Sequence, residues 1–428
     1  MNVFKAADSE RAVLVEKPQA DNSHSLVLFI MVFLASLFYT LSTNGSTPLR
    51  IGYSILLYGS LSVMLKVFLS TYNRRILSHD NKYTYYFILL LVFAMWNAIR
   101  DYSNPNFSLV TLINHPRALA CLIPVLGLCI GYNIRNLKTI EKVINGLVIA
   151  FCLYAGYVTI REPFAPKIFT ACILPFAVFN LTHGRYKILT PILFAIAAWH
   201  SVDVDYRTLL LRLIFFAAFF LSLNLFRKIG FMKFATVVLA LVGVYIFLTG
   251  LTSFLEYFAS ETHLNEGLAS DTRTFLYTEV FEDLSPVQRI TGKGFLGTYF
   301  SQVFLGFQSI AGYAEADSYN RFSVEVGVLQ LILKGGYIFL VLYLAPIIYT
   351  VWKGLSVSDK SFKLEFNICI YLLTELVIFF FENMPAFNIH FFMIFFFTGY
   401  VYKQLKQREW AFQASKVARV KQYFDNQR

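Results

Sequence analysis

Residues 317–352 read DSYNRFSVEVGVLQLILKGGYIFLVLYLAPIIYTVW, a polar opening followed by an apolar run that carries Lys334, Gly335 and Gly336 in its first half. From residue 322 onward the run is longer than the roughly 20 residues that take a helix across a bilayer. The glycine pair therefore predicts a half-helix followed by a complete span. An ammonium group at that depth needs a partner, because burying a lone charge is costly.

Eleven further apolar runs lie near 25–43, 51–70, 84–99, 118–132, 143–160, 168–182, 188–202, 206–226, 232–250, 366–384 and 386–402. Apolar residues make up 57% of the 428 positions and charged residues 15%, more apolar surface than a soluble core hides. The expected fold class is all-α, a polytopic transmembrane bundle of about twelve spans. Its expected divisions are a polar tail at 1–24, spans one to nine over 25–250, a long loop at 251–321, spans ten to twelve over 322–402, and a basic tail at 403–428. The polar N-terminal stretch does not read as a cleaved signal peptide, so the first span is expected to be retained.

Even parity puts both termini on one side, and basic residues decide which. With the termini cytoplasmic, about two thirds of the 37 Lys and Arg face the cytoplasm and the long loop faces outward. The tail from Lys403 to Arg428, with Trp410 and Phe412, suits an amphipathic helix on anionic lipid better than a nucleic-acid module. The five cysteines all sit in apolar runs and read as packing residues, without metal or redox spacing.

The loop is not linker-like. Ser270–Leu284 places Leu276, Val280 and Leu284 on one helical face, with Asp271 as a cap and Pro286 beyond the end. Next, TGKGFLGTYFS at 291–301 offers Gly292, Lys293 and Gly294, which read either as a simple turn or as backbone able to approach a ligand closely. The order of lysine and glycine excludes a P-loop. At the entrance to the eighth span, DVDYRTLLLR brings Arg207 and Arg212 to the edge of the apolar run, either snorkelling beside Asp203 and Asp205 or bordering a cavity. Asp203 and Asp205 are also the weak candidates for a divalent cation, and no other metal site is expected. Arg321 and Glu325 are four apart and face the same way, either as a local ion pair or with Glu325 as a semi-buried base whose pKa desolvation raises. Lys334 and Glu375 are the deepest remaining charges, open to a mutual ion pair or to a functional role.

Arg207, Arg212, Arg273, Arg289 and Arg321 thus collect on one side with carboxylates and a glycine-rich turn. Guanidinium groups hold phosphate oxygens bidentately without changing protonation, so the set suits a lipid diphosphate. Charge stabilisation on a departing diphosphate, with a carboxylate taking a hydroxyl proton, is the chemistry of glycosyl transfer.

The motifs DYRTLLL at 205–211, DTRTFLYTEVFEDL at 271–284, ITGKGFLGTYFS at 290–301 and DSYNRFSVEVGVLQLILKGGYIFLVLYL at 317–344 resemble, in that order, the bacterial O-antigen polymerase and O-antigen ligase group of membrane glycosyltransferases. The resemblance implies an inner-membrane enzyme that takes a glycan from an undecaprenyl diphosphate carrier at the periplasmic face. It implies membrane lipid and a chain-length regulator as partners, and neither cofactor nor nucleic acid. Carried over, Arg207, Arg273 and Arg321 look like the family's core-helix, loop-helix and junction arginines; Arg212 and Arg289 are diphosphate-binding candidates from the arginine cluster alone. The family's junction histidine has no counterpart here, the loop's histidine being His263, and Glu325 with Arg321 stands in its neighbourhood. Repeat-unit polymerisation is the expected reaction, ligation to a lipid A core or non-catalytic transport the alternatives.

Overall fold

The computed structural model describes residues 22–42, 47–73, 81–103, 107–134, 137–158, 166–184, 186–203, 207–226, 274–301, 320–357, 359–382 and 384–425. It is helical almost throughout. The helices are α1 (Asn22–Ser42), α2 (Thr47–Asn73), α3 (Asn81–Tyr102), α4 (Leu109–Asn114), α5 (Gly127–Asn133), α6 (Leu137–Val158), α7 (Pro166–His183), α8 (Leu189–Asp203), α9 (Arg207–Phe226), α10 (Thr274–Asp283), α11 (Pro286–Thr291), α12 (Gly327–Leu355), α13 (Lys363–Ile378) and α14 (Ile389–Asp425). A 3-10 turn, Leu119–Leu126, joins α4 to α5 around Pro124. Two short strands, β1 (Tyr299–Phe300) and β2 (Asn320–Arg321), pair antiparallel with Tyr299 opposite Arg321.

Among the described residues, three stretches are long and apolar enough to cross a bilayer, namely Thr47–Leu69, Leu109–Asn133 and Gly327–Leu355, and four shorter apolar segments accompany them. The chain is therefore a helical membrane protein by length and composition, but the twelve expected spans are not supported. Helix α8, with 15 residues, falls below a full crossing. The expected ninth span, 232–250, lies outside the described residues. Ile55, Leu91, Ile99, Leu221 and Val341 turn outward from the described helices, which suits hydrocarbon as the solvent.

Small residues set the closest packing. A Cβ on Gly131 would stand 1.8 Å from the Phe396 carbonyl oxygen, and one on Gly399 2.1 Å from that of Leu128, so α5 and α14 meet backbone to backbone. The buried Ser36 hydroxyl of α1 accepts the Ile389 N–H at the start of α14 (2.8 Å), satisfying a donor that a helix start leaves open.

The break expected at Lys334–Gly335–Gly336 is present. Gly336 has φ 66° and ψ −167°, dividing α12 into a buried half-helix and a longer span. Leu276, Val280 and Leu284 are buried, as their spacing predicts, although the helix they belong to begins at Thr274 and Asp271 lies outside the described residues. Helix α14 runs unbroken past residue 402 into the basic stretch. At ~1.5 Å per residue it is longer than a bilayer is thick, so its exposed end, with Trp410 and Phe412, projects beyond the bundle.

Candidate functional site

The bundle has two polar ends. At one end Lys403 donates to the Ile134 carbonyl, and Arg408 straps α14 to Asp359 and Ser361. The Asp359 carboxyl is held at about 2 by the Ser361 N–H and by Arg408. The other end gathers the glycine turn, the β pair and the entry to α12, and it carries the candidate site.

The turn is built first. Ser285 and Gln288 form a capping box that starts α11, with Pro286 at its first position. Gly292, at φ 72°, then turns the chain back onto the broken helix, where Lys293 N–H donates to the Leu333 carbonyl (2.7 Å) and Gly294 N–H to that of Lys334 (3.0 Å). Arg100 of α3 donates to the carbonyls of Thr291 and Gly292, while the Asp101 carboxylate accepts the N–H groups of Phe295 (2.9 Å) and Leu296 (3.0 Å). The space beside these glycines is taken. A Cβ on Gly292 would lie 2.3 Å from the Gly335 nitrogen, and one on Gly294 2.2 Å from an Asp101 oxygen. Of the two readings of Gly292 and Gly294, the described contacts show the turn: their freedom serves packing within the protein. Lys293 likewise pairs with Asp283 (2.5 Å) and donates to the Thr298 carbonyl.

Beyond the turn lies the junction. Arg321 on β2 approaches the Tyr299 hydroxyl (3.4 Å) and pairs with Glu325 (3.3 Å). Burial raises the Tyr299 phenol above its ordinary range, with Arg321 pulling the other way. The part-buried Arg117 enters from the segment after α4, donates to the Ser323 hydroxyl (2.8 Å), and lies within electrostatic reach of Glu325, Arg321 and Tyr39. His115 packs its ring against Phe322 (centroids 4.5 Å) and accepts the Arg117 N–H at Nδ1. Against the same Phe322 ring lies the buried Lys334 ammonium, 3.5 Å from its centroid and 2.7 Å from the Gly297 carbonyl oxygen. Two arginines and a carboxylate from distant parts of the chain therefore share one rim, with a lysine beneath it.

A second charged group lies inside the bundle. Glu375 of α13, with its side chain 1% exposed, pairs with Arg212 of α9 (3.5 Å) and with His390 of α14 (3.1 Å). The expected Lys334–Glu375 pair does not form: a backbone carbonyl and an aromatic ring hold Lys334, and Glu375 faces other helices.

Of the expected diphosphate ligands, Arg212 is committed to Glu375, and Arg289 donates to the Phe281 carbonyl (2.7 Å), closing the C-terminal end of α10. Arg207 is the first residue of α9, and its side chain, with Arg273, Asp205 and the side chain of Asp203, lies outside the described residues. No cluster of His, Cys, Asp or Glu able to hold a metal occurs among the described residues. Glu325, read from the sequence as semi-buried, has 40% of its side chain exposed. Sequence reasoning missed Arg117, His115, Asp101 and His390. The signal for Arg117 was its place after His115–Pro116, a charged break at the edge of an apolar run. Comparison with protein-family models, with curated proteins and with solved structures finds no match for this chain.

Proposed function

We propose that the chain is a membrane glycosyltransferase that moves a glycan from an undecaprenyl diphosphate carrier to a lipid-linked acceptor, extending a polysaccharide by its repeat unit. One observation carries the reading: Arg321 pairs with Glu325, and Arg117, held by the Ser323 hydroxyl, lies within electrostatic reach of both at the polar end of an apolar bundle. Guanidinium groups so placed counter the charge that grows on a departing diphosphate. In the step itself, the bond between the anomeric carbon and the phosphate oxygen breaks, and the acceptor oxygen bonds to that carbon. Glu325 takes the acceptor's hydroxyl proton, its carboxylate reachable from water yet held by Arg321. The Tyr299 hydroxyl, accepting from Arg321, orients it.

The structural basis differs from a diphosphate cradle of Arg212 and Arg289, which meet Glu375 and the Phe281 carbonyl instead. Arg117 takes their place, while Arg207 and Arg273 remain part of the proposal on the family resemblance. The experiment is chain growth in cells whose polymer is resolved by length. Arg117→Ala or Arg321→Ala is expected to remove all but the single-unit product while the protein still reaches the membrane. Normal length ladders from both variants would reject the reading.

A further inference from the structure

An open depression of about 440 Å³ lies beside α11, lined by Arg100 and Ser103 from the end of α3, Gln288 from α11, and Lys293, Gly297 and Thr298 from the turn. Its size is within the range of small-molecule sites. The side chains that line it, those of Arg100, Ser103, Gln288, Lys293 and Thr298, all end in polar groups. Donors outnumber acceptors. Arg100 spends two N–H groups on the carbonyls of Thr291 and Gly292, and among the described residues no carboxylate is in hydrogen-bond contact with its guanidinium. Lys293 keeps a proton beyond those given to Asp283 and Thr298, and Gln288, whose oxygen accepts the Ser285 N–H, keeps its amide donors. Ser103 and Thr298 add hydroxyl groups. Such a lining calls for a ligand rich in oxygen acceptors and carrying negative charge.

We propose that this depression binds an acidic saccharide, with its carboxylate at Arg100 and Lys293 and its ring hydroxyls at Ser103, Gln288 and Thr298. Thr298, which lines the depression, directly precedes Tyr299, whose hydroxyl meets Arg321, so the chain links the depression to the arginine rim. Resting on the glycosyltransferase reading, the occupant is a sugar of the lipid-linked glycan lying beyond the reacting one. Its binding grips the chain without touching the bond that breaks.

The test uses the full chain in phosphatidylcholine nanodiscs, with glucuronate and glucose as probes in saturation-transfer difference NMR. Glucuronate is expected to give a signal at least fivefold above that of glucose. Ser103 is exposed, so its replacement should leave the fold intact. Ser103→Glu is expected to abolish the glucuronate signal and Ser103→Lys to keep or raise it. Equal signals from the native chain and both variants, or none from the native chain, would overturn the proposal. Loss of the signal when phosphatidylglycerol enters the nanodisc would also overturn it, assigning the depression to lipid headgroups. Arg321→Ala separates this proposal from the catalytic one. It should keep glucuronate binding, so a retained signal beside unchanged chain growth would reject the catalytic reading alone.

Discussion

At the scale of single residues, charge burial decides what each side chain can do. Glu375 holds Arg212 and His390 in an interior where removing one partner of a buried pair costs about 3–5 kcal/mol. Glu375→Ala should therefore lower the thermal midpoint of the detergent-solubilised protein sharply, and Glu375→Gln, which keeps a hydrogen-bonding group, should lower it less. Midpoints equal to that of the native chain would show that the network contributes nothing. Lys334 acts differently, since its ammonium meets a carbonyl and a ring face where a carboxylate was expected. Lys334→Met preserves the aliphatic stem but loses the link to Gly297, and it should expose the 292–297 turn to proteolysis in the otherwise folded chain. An unchanged cleavage pattern would count against Lys334 as the fastener of that turn.

Among the elements, the turn and the broken helix form one unit. Gly336 sits at φ 66°, and a Cβ there would lie 2.1 Å from the Ile290 carbonyl carbon, so neither torsion nor packing admits alanine. The strained torsion alone costs about 1–3 kcal/mol. Gly336→Ala and Gly292→Ala should each reduce the amount of folded protein reaching the membrane, whereas Gly146→Ala, at a position with open space around its Cβ, should not. Membrane yields measured side by side decide the matter. The break itself was legible because Lys-Gly-Gly interrupts an apolar run, and the buried face of α10 because Leu276, Val280 and Leu284 repeat at helical spacing. What Gly292 and Gly294 pack against was not legible. A positive-φ glycine beside a ligand and one beside another backbone have the same sequence, and only the fold brings Gly335 and Asp101 to the turn.

For the molecule as a whole, the distribution of apolar and basic residues was enough to reveal a helical membrane protein with two polar ends. Arg117 meeting Ser323 beside the Arg321–Glu325 pair, and Arg212 meeting Glu375, depend on which segments become neighbours, which periodicity does not encode. The count of twelve spans is not supported among the described residues, where helices such as α8 are apolar but short. The two ends should lie on opposite faces of the membrane. Cysteines placed at Ser103 and Ser285 should react with an impermeant maleimide in intact cells, while those at Ser415 and Lys416 should react only after lysis; the native Cys121, Cys129, Cys172 and Cys369 are buried. Labelling of both pairs from the same side would refute the two-ended arrangement.

The most direct measurement is native mass spectrometry of the purified chain with undecaprenyl diphosphate. The native protein should retain the carrier lipid, and the Arg117→Gln, Arg321→Gln double variant should lose it while still binding ordinary phospholipid. Equal retention by the two proteins would contradict the arginine rim as the seat of the diphosphate.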